Sequence, residues 1–117
     1  MQTFALLRHE TDIRSFKQGE TIFNEGESGN CMFAVIEGTV AIELRGVVIE
    51  RVAQGGVFGE MALIDGQPRS ATAVATADCR LGAIDEKRFL RLVEQTPRFA
   101  LQMLQLITER LRRSSAH

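Results

Sequence analysis

Histidine is almost missing from this 117-residue chain: there are two, His9 and His117, one near each end. A metal centre with an open coordination position needs clustered imidazole or carboxylate ligands, so no metal ligand is predicted. Cysteine is as scarce. Cys31 and Cys79 lie far apart, match no paired-ligand spacing and sit beside strand-like runs. Two buried free thiols are expected, rather than a disulfide or a redox pair. No apolar run approaches the roughly 20 residues that cross a bilayer. The first eight residues lack the basic start, long apolar stretch and small-residue cleavage site of a signal peptide, and a cytoplasmic location is expected. Neither sign of charge is in excess, with 14 Lys and Arg against 15 Asp and Glu. A net charge of −1 provides no global field for nucleic acid or membrane. There is no internal repeat and no low-complexity tract. The length, residues 1–117, suits one domain with a single core and is too short for two.

What the chain does have is short apolar runs closed by glycine. Residues 13–17 alternate, Gly19 breaks the run, and 21–24 make a second strand before the turn chemistry of 26–30. Residues 31–36 are apolar enough for a strand covered on both faces. Gly38 turns it, 39–44 alternates through Val40, Ile42 and Leu44, and Arg45-Gly46 makes a tight connection into 47–52. After Pro68, residues 70–75 and 80–84 read as two more strands. Such a succession argues for an all-β sandwich or roll over about residues 12–85. One helical turn is expected over 3–8, with Phe4 and Leu7 inward.

Two helices close the chain, over about 86–113. Asp85 is a plausible N-cap for 86–94, and Thr96-Pro97 supplies the N-cap and first-turn proline of 98–113. At roughly 100° per residue, Phe99, Met103 and Leu106 form one apolar stripe, and Ala100, Leu104, Ile107 and Leu111 form a second beside it. One stripe can pack on the roll. The other would be exposed in a monomer, so a symmetric dimer through 98–113 is expected, the competing accounts being a longer protein whose further part covers it or a lid folded over the ligand within one subunit. Arg110, Arg112 and Arg113 read as charge complementing the negative end of the helix.

The chemistry concentrates in residues 58–71, FGEMALIDGQPRSA. Gly59 and Glu60 stand before a short apolar turn, a flexible loop follows, and Arg69 closes it. An arginine fork matches two phosphate oxygens, and a helix start after Gly59 points backbone amides at the same anion. Glu60, acceptor-only when ionised, suits a sugar hydroxyl instead. A ligand with a phosphate fused beside a sugar hydroxyl would satisfy both. The alternative is that Glu60 and Arg69 neutralise each other in a domain that binds nothing.

This stretch resembles the phosphate-binding cassette of the cyclic nucleotide-binding domain family, and the likeness extends over about residues 12–93, including Gly19-Glu20 and Glu37-Gly38-Thr39-Val40. The resemblance implies a mainly β fold: an eight-stranded jelly roll or β-roll with short helices and a C-terminal amphipathic helix. It implies cyclic AMP or cyclic GMP as ligand and no further cofactor. Glu60 would hold the ribose 2′-hydroxyl, Arg69 the cyclic phosphate, and the amides of Gly59, Ala62, Ser70 and Ala71 would close around both. By strand alignment Ile42 and Ile49 would face the purine, although as plain β-core positions they need no ligand. The family tunes base choice at the residue after the arginine, with threonine tending toward guanine; Ser70 leaves the choice open, with cyclic AMP favoured. In the catabolite-activator branch the helix matching 98–113 pairs two subunits and leads into a helix-turn-helix. This chain stops at His117, so unless it is an effector-domain fragment of a transcription regulator, direct DNA contact is not expected of it.

Two other classes compete. A jelly-roll enzyme would need clustered metal ligands or a nucleophile with its base, and Ser70 has no histidine within local reach. A dimerising or regulatory module without nucleotide would usually have lost the glutamate or the arginine of the cassette, and both are here.

Overall fold

The computed structural model describes residues 4–115. Thr3, where the first turn was expected to begin, and His117 lie outside them. A one-turn 3-10 helix at Ala5–His9 precedes β1 (Ile13–Phe16), β2 (Thr21–Phe23), β3 (Cys31–Glu37), β4 (Thr39–Leu44), β5 (Val47–Ala53) and β6 (Val57–Phe58). Then come α1 (Glu60–Asp65), β7 (Thr72–Ala75), β8 (Cys79–Asp85), α2 (Glu86–Gln95) and α3 (Arg98–Ser115). The strands form two four-stranded antiparallel sheets, ordered β1-β8-β3-β6 and β2-β7-β4-β5. This is the β-roll that the resemblance implied.

Seven strands fall where the apolar alternation placed them. The eighth, β6, is two residues long, too short to show a period. β7 begins at Thr72, not at 70. The backbone of Arg69 is bonded on both sides to the β2–β3 loop, Arg69 N–H to Glu27 O at 2.8 Å and Gly26 N–H to Arg69 O at 2.8 Å, which keeps this part of the chain out of the sheet. The β4–β5 hairpin turns on Arg45 (φ 51°) and Gly46 (φ 85°), and two successive left-handed residues match the twist of the flanking strands.

β3 shows why a continuous apolar run was needed. Successive side chains point to opposite faces, so Cys31, Phe33 and Val35 enter the core between the sheets, while Met32 and Ala34 face the helices. The inter-sheet core adds Phe23, Val40, Val52, Phe58, Ala73 and Leu81. The second core holds Phe4, Leu7, Val57, Ile84, Leu92, Phe99, Met103 and Leu106. Fully burying side chains such as Phe99 and Met103 stabilises by about 1.5 to 3 kcal/mol each, which fastens α3 to the outside of the first sheet. Asp85 caps α2 as expected, accepting from Arg88 N–H at 2.8 Å. The segment before β1 is tied to the same helix: buried Glu10 accepts two bonds of 2.8 Å from the Arg88 guanidinium. That hydrogen bond is the largest influence on Arg88 and, despite burial acting against it, raises its pKa further above the ordinary arginine value. Both cysteines are buried and unpaired. No helix among the described residues is long and apolar enough to cross a membrane.

Candidate ligand site at the cassette

The cassette spans the gap between β6 and β7, and Gly59 is its pivot. With φ at 77°, Gly59 is left-handed at the N-cap of α1, a conformation that costs an L side chain free energy. A Cβ there would also stand 2.8 Å from Nη1 of Arg69 and 3.3 Å from the Phe23 ring. The turn aims Glu60 inward, and its carboxylate is buried to 4% exposure.

Arg69 is buried as well, at 6%. Its Nη1 donates to Gly59 O at 2.9 Å and Nη2 to Cys31 O at 2.8 Å. Its Cζ lies 4.1 Å from the Phe23 ring centroid, within cation–π range. The Nε–H has no hydrogen-bond partner. Among the described residues no carboxylate forms an ion pair with it. The alternative of a Glu60–Arg69 ion pair is therefore not what the chain builds.

Glu60 is paired with Arg110 of α3 instead. Nη1 of Arg110 donates to Glu60 Oε1 at 2.6 Å, Nη2 to Glu50 Oε2 at 2.8 Å and to Val57 O at 2.7 Å, and Nε to Glu50 Oε1 at 3.1 Å. Burial works against this cation, but the bond to Glu50 and the charges of Glu60 and Glu50 outweigh it and hold the pKa above the usual arginine value. Arg113 adds a longer contact to Glu50, 3.4 Å. The reading of Arg110 as helix-end charge needs correction: it points into the roll, because it occupies the next position of the buried stripe Phe99, Met103, Leu106 at the same spacing of four, three and four. Arg110 engages Glu60 through Oε1, which leaves acceptor capacity on Oε2 of this carboxylate.

Of the other residues singled out, Ala62 and Ala71 are buried beside Glu60 and Arg69 in the chain, and Ser70 is exposed. Ile42 is half-buried against the inter-sheet core and pairs with Ala73 on β7, two residues beyond Ala71. Ile49 is 55% exposed at the β4–β5 irregularity, where Ile42 pairs with Glu50 and Glu43 with Val48, so Ile49 has no partner across the ladder. The structure thus brings the cassette residues together with Ile42 nearby and leaves Ile49 on the hairpin. Sequence reasoning missed Phe23, Gly29, Cys31, Glu50 and Arg110. A hollow of about 560 Å³ lined by Gly29, Asn30, Ala62, Leu63 and Leu90 lies between the cassette and the start of α2, and neither Glu60 nor Arg69 lines it.

A buried arginine fork held by neutral groups, beside a carboxylate with capacity to accept, is the arrangement a cyclic nucleotide site requires. The chain belongs to the cyclic nucleotide-binding domain family, whose model matches residues 13–96. It is 36% identical over 86 residues to a cAMP-dependent protein kinase regulatory subunit of Debaryomyces hansenii, covering 71% of this chain and 19% of that one. It is 35% identical over 104 residues to the cyclic AMP receptor protein of Thermus thermophilus, covering 85% and 48%. Among solved structures it is similar to the Thermus thermophilus catabolite activator protein, with a TM-score of 0.83 and 32% identity over 95% of this chain and 55% of the other. The chain spans less than half the length of either sequence relative.

Proposed function

We propose that this domain binds a cyclic nucleotide at the cassette and acts as a regulatory module, with cyclic AMP favoured over cyclic GMP and no catalysis of its own. Arg69 carries the reading. A buried guanidinium with no carboxylate and one unsatisfied N–H is costly to keep, and an anion offsets that cost. In this reading the cyclic phosphate pairs with Arg69, the ribose 2′-hydroxyl donates to Glu60, and the amides of Gly59, Ala62, Ser70 and Ala71 close around sugar and phosphate. The base stacks toward Ile42 and, if the β4–β5 hairpin folds inward, Ile49. Cyclic AMP is supported by serine rather than threonine at position 70 and by the names of the two relatives. Such a module would work in the cytoplasm. Titration calorimetry with cyclic AMP, cyclic GMP and cyclic di-GMP tests the reading: saturable one-site binding of a cyclic mononucleotide is expected, and no heat with any of the three would refute it.

A homodimer through α3 belongs to the same proposal. The stripe of Phe99, Met103 and Leu106 is buried on the roll, whereas Leu104 is 60% and Leu111 55% exposed on the neighbouring stripe with half-buried Ala100 and Ile107. Light scattering of wild type against Leu104→Glu and Ile107→Glu tests it. A wild-type dimer that the charged variants split is expected, and a wild-type monomer at micromolar concentration, with or without nucleotide, would end it.

A further inference from the structure

Gly29, in the β2–β3 loop, is not in a left-handed conformation: it is absent from the glycines of positive φ, so its backbone makes no demand for glycine. The demand comes from a side chain 40 residues on. A Cβ built at Gly29 would overlap Nε and Cζ of Arg69 and stand 2.6 Å from its Nη2. The same loop binds the backbone of Arg69 through Gly26 N–H and Glu27 O. The strands at its two ends supply the rest of the cradle, the ring of Phe23 beneath the guanidinium and the carbonyl of Cys31 in front of Nη2.

We infer that Gly29 is a positioning residue for the anion-binding arginine. Its missing side chain makes the slot in which the Arg69 fork lies over Phe23, and the slot sets the fork's direction before any ligand arrives. This rests on the proposal that Arg69 receives the cyclic phosphate. Orientation in advance matters because a floppy arginine would lose rotamer freedom at the moment of binding, at the expense of affinity. A methyl group at position 29 would turn the fork out of its slot without touching the nucleotide.

The test is a double-mutant cycle between Gly29→Ala and Arg69→Ala, read by cyclic AMP titration and by thermal melting without ligand. Gly29→Ala alone should weaken binding by about ten- to a hundredfold, the range for removing a group that orients a ligand-holding side chain. It should also lower the melting temperature. In the Arg69→Ala background the same change should cost no further affinity and should leave the melting temperature unchanged or raised, because alanine at a compatible φ restricts the unfolded chain. A purely structural glycine would lower the melting temperature equally in both backgrounds, and that result overturns the inference. So does wild-type affinity in Gly29→Ala. Should Gly29→Ala fail to fold, recovery of folding in the double variant supports the positioning role and failure of both refutes it. If wild type binds no cyclic nucleotide, the proposed function falls, and the melting cycle still decides the claim about Gly29.

Discussion

Arg69 is a buried guanidinium at the cassette and Arg110 a half-buried one, and they are satisfied in opposite ways. Arg110 is neutralised by two carboxylates, Glu50 and Glu60, and four contacts to them and one to Val57 O use most of its donors. Arg69 has two carbonyls and an aromatic face, none of which carries a full negative charge. A paired buried cation is a structural joint, and removing it strands its anions. A buried cation held by dipoles alone costs stability and is ready for an anion from outside. The contrast therefore separates a cation neutralised within the domain from one that, in the proposed reading, is kept for a ligand.

The largest expected effect tests the second half of that contrast. Arg69→Ala should weaken cyclic nucleotide binding by about 2 to 5 kcal/mol, since the bound phosphate would be left desolvated and unpaired. Its melting temperature in the absence of nucleotide should move little, because the variant loses two bonds to carbonyls but also sheds an uncompensated charge. Calorimetry and melting on one preparation check both. Unaltered affinity would mean that Arg69 is not the phosphate ligand.

Arg110→Ala should behave in the reverse manner, with a smaller energy and a different observable. Breaking a buried ion pair typically costs 3 to 5 kcal/mol, but the Arg110 side chain is 18% exposed and Glu50 15%, so water recovers part of the loss. A stability loss of about 1 to 3 kcal/mol is expected in denaturant unfolding. Arg110→Ala/Glu50→Gln should lose less than the sum of the single variants, since the two groups share one network. Additivity would show that the pairing carries no stability.

Glu60 sits between the two regions, since one of its oxygens holds Arg110 and the other, in the proposed reading, accepts from the ribose hydroxyl. Glu60→Ala should cost about 1.5 to 3 kcal/mol of nucleotide affinity, the range for a hydrogen bond to a charged group. It should also destabilise the apo domain, which Arg69→Ala should not. Loss of affinity with unchanged apo stability would show that the Arg110 contact at 2.6 Å contributes nothing in solution.

How far these parts could be read from the sequence follows from how local their signals are. Glu60 and Arg69 stand within ten residues of each other in a stretch whose glycine and proline mark the turn, so residue types, spacing and the family resemblance were enough to single them out as candidates. The first five strands were legible because glycine follows each one, and β7 and β8 from their apolar runs; β6 was not, because two residues have no period. Arg110 was available in principle, one step beyond Leu106 on the buried stripe, but an arginine at a helix end has a ready surface explanation. Glu50 could not be found, since its partner is 60 residues away and only the packing of α3 across the roll brings them together. Gly29 was hidden for the opposite reason. Among other loop glycines it looked like turn chemistry, and only the guanidinium beside it shows that the turn does not need it.

The smallest expected effect concerns the base. Ser70 follows Arg69 directly but is exposed, so its hydroxyl exchanges bonds with water in the free domain and any bond to the purine is gained only net of that exchange. Threonine at this position adds a methyl group that limits χ1, keeping a hydroxyl of the same chemistry in fewer rotamers. If that hydroxyl reaches the guanine edge, Ser70→Thr should shift the ratio of cyclic GMP to cyclic AMP affinity toward cyclic GMP by about 0.5 to 1.5 kcal/mol, the net value of one neutral hydrogen bond. Both affinities must be measured on both proteins, since a parallel change in the two would report on the phosphate end and Arg69 rather than on the base. An unchanged ratio would remove position 70 from the selectivity site and leave base choice to the wall around Ile42.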